Sequence, residues 1–258
     1  MPVERSSGPW DGGQKVWSDK IYFLSGEHGN WREIGRLPEA LGYGASASYG
    51  EDFFIAAGSD AAQHHKKTFQ LTLKGDSVLI KELPELPIAL ANVAFAQHEN
   101  YWYVLGGQVS PQAQQASSGV FRLDLSSPHT GWEQLSDFPA AANKKGVYIF
   151  SGASLENGQR TYLIDGYYFD GDSWMKKADV PHPITAAANP GIADGRNTFL
   201  FFSGDDGALA GSDLRDKHPG FSREVLTYFT LEDKWAVTGT IPEFLPAGAD
   251  SVKAELRA

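Results

Sequence analysis

A bulky apolar residue stands seven positions before a proline that itself follows an apolar residue, and it does so five times in 258 residues. The copies are Trp31 to Pro38, Ile80 to Pro87, Trp132 to Pro139, Trp174 to Pro181 and Trp235 to Pro242. Their starts lie 49, 52, 42 and 61 residues apart, and the path from Trp235 through both termini back to Trp31 is 54. Five similar intervals therefore fill the chain as if it were a ring. A period of about 50 residues marks a repeat architecture and outranks any local reading.

Within each interval the order of events also repeats. A segment of small residues follows the proline, then a β-forming run that ends in glycine, then a second strand, then the next tryptophan or isoleucine. The glycine-ended runs are 21–26, 53–58, 101–107, 147–152 and 199–204, rich in Ile, Val, Leu, Phe and Tyr. Runs this short, apolar on both faces and bounded by glycine are central strands rather than helices. Glycine (28 residues), proline (14) and 12% aromatics fit a chain of short strands and turns. Four short strands per unit is the arithmetic of a propeller blade. The expectation is an all-β propeller of about five blades, with residues 1–258 as one domain.

The fifth interval spans both termini, so the last blade is expected to be closed by both ends. Residues from Pro242 onward would supply its inner strand and Lys15 to Gly26 a middle strand, which leaves no open edge. Trp31, Trp132, Trp174 and Trp235 are expected to be buried between neighbouring blades. In the third unit Pro139 to Gly152 spans 13 residues, against 20 for Pro38 to Gly58. About one inner strand is missing there.

Composition narrows the function classes. The net charge is −10, which disfavours a nucleic-acid clamp, since phosphate demands a basic face. No apolar run approaches the roughly 18 residues of a membrane helix. Residues 1–7 carry no apolar core of a secretory signal. Cysteine is absent, which excludes disulfides, thiolate metal sites and a cysteine nucleophile. The G-x-S-x-G, H-E-x-x-H and phosphate-loop signatures do not occur. Asp205-Asp206-Gly207 lacks the alternating oxygen ligands of a calcium loop, so no metal is assigned.

The phased W-x5-apolar-Pro and the glycine-ended strands resemble kelch repeats, with Gly106-Gly107 as the full double glycine. Leu86 to Asn92, Asp165 to Asp170 and His218-Pro219-Gly220-Phe221 narrow the likeness to the cyclically permuted mutarotase group, similar to bacterial N-acetylneuraminate epimerases. The resemblance covers nearly the whole chain. It implies an isomerase of carbohydrate metabolism that interconverts sialic-acid anomers at the propeller mouth, without a cofactor, in a family whose norm is six blades. It also implies a periplasmic setting. The family carries a Gly-Glu segment with an arginine six residues after the glutamate. Here Gly26-Glu27 matches, position 33 is Glu33, and the nearest arginine is Arg32.

Two sets of residues are candidates for a site. Inner strands line a propeller channel, and aligning the segments after the prolines places Tyr43, Asn92, Asn143, Asn189 and Asp250 amid glycine and alanine. These polar groups either satisfy turns and channel water or hydrogen-bond a sugar. The tips of the glycine-ended strands add Glu27-His28, Ser59-Asp60, Gln108 and Asp205-Asp206. Such carboxylates are either solvated loop tips or a general acid and base. His218 sits in a long loop of the kind that carries ligand contacts. His64-His65 before Lys66-Lys67 reads as a solvated basic tip.

Two functions compete. In the first, a cofactor-free mutarotase or epimerase of sialic acid uses Glu27 with Asp205 or His218 as proton carriers. Tyr43, Asp60, Asn92, Gln108, Asn189 and Arg32 then bind the sugar. Arg32, Lys144 or Lys145 would answer its carboxylate. In the second, the same mouth is a non-catalytic module that binds a glycan or a protein partner. Neither reading involves nucleic acid or a membrane.

Overall fold

Strands that are buried on both faces need a sheet on either side, and the computed structural model of the protein is built that way. It describes residues 16–26, 29–135, 146–187, 191–209 and 220–242. Among these the helical content is one 3-10 turn at Pro128–Thr130. No helix among them is long and apolar enough to cross a membrane. The chain divides into two compact units, Met1–Phe138 and Pro139–Ala258.

The first unit holds three antiparallel sheets. Strands β1 (Lys20–Leu24) and β2 (Trp31–Arg36) form the first. The second is a four-stranded meander of β3 (Ala45–Tyr49), β4 (Asp52–Ala56), β5 (Thr68–Lys74) and β6 (Ser77–Leu83). The third repeats it with β7 (Ala94–His98), β8 (Tyr101–Leu105), β9 (Val120–Asp124) and β10 (Glu133–Leu135). Strand β4 shows how the sheets stack. Phe54 and Ala56 join a core with Trp102, Val104 and Phe121 of the third sheet. Ile55, pointing the other way, joins Ile21 and Leu37 towards the first. Truncating Phe54, 1% exposed, to alanine would cost about 3–5 kcal/mol.

The second unit holds two sheets among the described residues. One has β11 (Val147–Glu156), β12 (Gln159–Phe169) and β13 (Trp174–Lys177). The inner-strand shortage expected here falls on residues 136–145, outside the described residues. The other has β14 (Ile192–Ala193), β15 (Thr198–Phe202), β16 (Glu224–Phe229) and β17 (Lys234–Thr240). Its core joins Val180, Ile184 and Leu226 with Phe150, Phe201 and Trp235. The proposed inner strand after Pro242 also lies outside the described residues, and so does Lys15.

Two of the phased tryptophans reach back to the preceding sheet. Trp132 Nε1 donates to Thr68 Oγ1 at 3.0 Å, and Trp235 Nε1 donates to the Ala178 carbonyl at 3.1 Å. Trp174 is 8% exposed and stacks on Phe169 at 4.8 Å. Trp31 departs from the expected burial: it is 56% exposed. The physical reason is position, because among the described residues of its unit no sheet precedes the first for the ring to lean on.

Four of the five glycine-ended runs finish on two successive left-handed residues. They are Ala57-Gly58 (φ 62° and 110°), Gly106-Gly107 (64° and 83°), Ser151-Gly152 (62° and 115°) and Ser203-Gly204 (66° and 109°). The first position sits in the left-handed helical well, which L-residues can occupy at modest cost. The second lies beyond that well in three of the four cases, where glycine alone is relaxed. Alanine and serine therefore replace the first glycine of the kelch pair but not the second.

Two outcomes follow from this packing. Trp174→Ala should cost about 3–5 kcal/mol of stability, while Trp31→Ala costs under about 1 kcal/mol. Gly204→Ala should cost roughly 1–3 kcal/mol, with Ser203→Gly close to neutral. Urea unfolding of the four variants checks both, and equal losses within either pair would contradict the assignment.

Candidate functional site

In the second sheet Ala45 pairs with Ala56, Ala56 with Thr68, and Thr68 with Leu83. The start of the inner strand, the glycine turn and the proline loop therefore share one edge of the sheet. Among the described residues the same contact recurs at the equivalent edge of three sheets. The residue four after the proline pairs reciprocally with the residue after the glycine. Gly42 and Ser59 exchange backbone hydrogen bonds of 2.9 and 2.7 Å, and Ala91 and Gln108 exchange bonds of 3.0 and 2.8 Å. Thr185 and Asp205 do so at 3.0 and 2.6 Å. Ser59, Gln108 and Asp205 thus hold the same place on three sheets.

The next residue after each bridge is left-handed: Tyr43 at φ 61°, Asn92 at 55° and Ala186 at 57°. Within the first unit the Asn92 amide donates to the Tyr43 carbonyl at 3.0 Å, so these residues are direct neighbours across two sheets. Asn92 Nδ2 also donates to Gln108 Oε1 at 3.0 Å. Tyr43 is 41% exposed, and Asn92 is exposed too. The expected trio of tyrosine, asparagine and glutamine is therefore gathered on one surface. In the fifth sheet the equivalent place belongs to Ala186 rather than Asn189. The register slips by three residues because no aromatic or amide marks the position. Asn189 itself lies outside the described residues, as do Glu27, His28, Asn143, Lys144, Lys145, His218 and Asp250.

Asp60 is held by its own loop. Its Oδ1 accepts from the Ala62 and Gln63 amides at 2.6 and 2.8 Å, and its Oδ2 lies 2.8 Å from His65 Nε2. The Ala62 amide, with Gln63 and His65 behind it, keeps this carboxyl below its ordinary value against the opposing effect of burial. A carboxylate so placed anchors a turn and is poorly suited to donate a proton near neutral pH. Arg32 is engaged on β2, where its guanidinium meets Asp76 at 2.5 Å and lies over the Phe23 ring.

The reading of His64-His65 as a solvated tip is overturned at His65. Its side chain is 8% exposed and sits between Asp60 and Glu39, whose Oε2 is 2.9 Å from Nδ1. His65 also donates its amide to Gly58 and accepts from Leu90, so it ties the glycine turn to the next inner strand. Charge alternation with Lys66 and Lys67 concealed this. Burial keeps its neighbour His64 below the ordinary histidine value.

In the second unit Asp205 Oδ1 accepts from the Gly207 amide at 2.9 Å and Asp206 Oδ1 from the Ala208 amide at 2.8 Å. Asp205 is half-buried at the bridge with Thr185. Beside them stands His182, which the sequence did not single out. Its only signal is the offset of one from Pro181, matching Glu39 after Pro38. Burial would lower its affinity for a proton. The Pro183 carbonyl on Nδ1 (3.0 Å), Glu224 on Nε2 (2.9 Å) and the nearby Asp206 outweigh that and raise it. Among the described residues no three metal-ligating side chains converge.

No family model matches the chain. A kelch domain-containing protein of Vibrio cholerae is 26% identical over 167 residues, which are 57% of this chain and 44% of that protein. An N-acetylneuraminate epimerase of Yersinia enterocolitica is 24% identical over 201 residues, 64% of this chain and 50% of that protein. Another from Salmonella enteritidis is 33% identical over 72 residues, 28% of this chain and 18% of that one. The chain thus spans half or less of the length of these curated relatives. The solved structure of YjhT matches with a TM-score of 0.62 at 14% identity, over 90% of this chain and 81% of that one. The fold is that of a kelch-type β-propeller. Within that class the chain resembles the N-acetylneuraminate epimerases, at modest identity.

Asp60 and His182 give opposite pH signatures. The depressed Asp60 contributes stability above about pH 4 that is lost as pH falls through its folded value. The raised His182 contributes stability below about pH 6.5 that is lost as pH rises through its folded value. Melting temperatures should therefore show Asp60→Asn destabilising at pH 7 with the gap closing below pH 4. His182→Asn should destabilise at pH 5.5 more than at pH 9. Gaps independent of pH would contradict both pairings.

Proposed function

We propose that this chain is a cofactor-free mutarotase of sialic acid, working at the rim edge of its sheets. The observation that carries the reading is the threefold bridge, which presents Ser59, Gln108 and Asp205 at one structural position. The named epimerase relatives supply the substrate class, and the same resemblance supplies the periplasmic setting. Opening a pyranose needs a proton delivered to the ring oxygen and one removed from the anomeric hydroxyl; closing reverses both. Asp205 is the base, with one oxygen held by Gly207 and the other without a partner among the described residues. Its partner is Glu27, which the sequence reading pairs with Asp205 or His218 as proton carriers. The sequence reading names Tyr43, Asn92 and Gln108 as sugar-binding groups, and within the first unit Asn92 and Gln108 are hydrogen-bonded to each other.

A second reading is favoured by one observation. Asp60 and Arg32 are both engaged in structural pairs, so the first unit presents mainly neutral groups at its rim. Neutral groups bind a glycan without moving protons, which suits a non-catalytic kelch module.

Exchange spectroscopy on N-acetylneuraminate anomers, with and without the protein, separates the two. Catalysed exchange is the expected result. Asp205→Asn and Glu27→Gln should each slow it by about 100-fold or more while leaving sugar binding within about tenfold. Binding without any acceleration in the wild type would establish the module instead.

A further inference from the structure

Strands β11 and β12 are ten and eleven residues long, where β4, β8 and β15 have five. The excess lies beyond Gly152, so residues 153–162 form a hairpin that projects roughly 13 Å from the bridge-bearing edge. Its register pairs Ala153 with Tyr162 and Leu155 with Arg160. Side chains alternate across a strand, so Ala153, Leu155, Arg160 and Tyr162 share one face. That face meets the loop after β15. A Cβ on Gly207 would overlap the Tyr162 ring, so the ring lies against the backbone whose amide holds Asp205. Gly207 also sits at φ 79°, so both space and conformation require glycine there.

Arg160 lies two residues nearer the hairpin tip on that face. It is exposed and makes no ion pair among the described residues, whereas Arg32, Arg36 and Arg122 are paired with Asp76, Asp19 and Glu133. An anionic sugar beside Asp205 and Asp206 is repelled unless a cation answers it. A guanidinium does so with two parallel donors matched to a carboxylate.

We propose that Arg160 is the specificity-determining residue of this site, binding the carboxylate of an acidic sugar seated between the hairpin face and the Asp205 loop. The proposal rests on the sialate reading above and adds the group that selects the acid over a neutral sugar. Arg32, the candidate from sequence, is tied to Asp76 on an edge strand. Arg160 is on a raised element whose Tyr162 ring lies against the carboxylate loop.

The test titrates N-acetylneuraminate and its neutral methyl ester into wild type, Arg160→Gln and Arg160→Lys. The wild type should prefer the acid by about tenfold or more. In Arg160→Gln that preference should vanish through weaker binding of the acid, with ester affinity unchanged. Arg160→Lys should recover part of it, since it restores charge without the planar fork. Unchanged ester binding also shows that the glutamine variant is folded. A preference for the acid that survives in Arg160→Gln overturns the Arg160 assignment and leaves the sialate reading standing. A wild type that binds neither compound overturns both.

Discussion

The structure hangs on a pair of backbone hydrogen bonds repeated from sheet to sheet. Each glycine turn would leave its amide and carbonyl facing nothing, because the strand has ended and the next has not begun. The inner-strand start supplies the partners, as Gly42 does for Ser59, Ala91 for Gln108 and Thr185 for Asp205. The approach is close enough that a Cβ on Gly107 would come within 2.6 Å of the Ala91 carbonyl. Satisfying these groups forces two left-handed residues in succession, and that in turn fixes a glycine at the second. The rim is thus rigid for reasons that have nothing to do with a ligand. A rigid rim is also what a binding site needs.

Burial then orders the sheets. Strand β4 sends Phe54 one way and Ile55 the other, and each finds a different core. The loops that join sheets take part as well. His65, held between Glu39 and Asp60, links the glycine turn of one sheet to Leu90 of the next, and the Asn92 amide reaches the Tyr43 carbonyl. Sheet-to-sheet contact therefore has an apolar layer within and a polar seam at the edge.

How much was legible follows from this division. The strands, their order and the phase of the proline loops were readable, because apolar runs ended by glycine have little alternative. The double-glycine rule was only partly readable, since Ala57, Ser151 and Ser203 stand in a well that sequence spacing does not reveal. Counting five residues from each proline leads to Tyr43, Asn92 and Ala186, whereas matching by residue type led to Asn189. Residue type was the poorer guide because the position is defined by a backbone conformation. The burial of His65 was hidden for a related reason: its partners, Glu39 and Asp60, come from separate loops. The projecting hairpin was hidden too, since Gly152 looked like the end of a strand that in fact continues to Glu156.

The same division bears on where chemistry can reside. Carboxylates at the rim fall into two kinds according to what the backbone asks of them. Asp60 accepts on both oxygens, and its loop would lose its shape if the group were protonated. Asp205 gives one oxygen to the Gly207 amide, and the Tyr162 ring holds that glycine from outside. The other Asp205 oxygen has no partner among the described residues, so the shape of this turn rests on one oxygen and the ring. His182, which holds its proton more tightly than usual despite its burial, lies near Asp206, and Arg160 stands on the hairpin. Among the described residues of the second unit, Asp205 and Arg160 keep charged groups that their turns do not use, and within the first unit Asn92 and Gln108 bond each other beside Tyr43. What each turn's hydrogen bonds require thus decides, sheet by sheet, which polar side chains are left for a ligand.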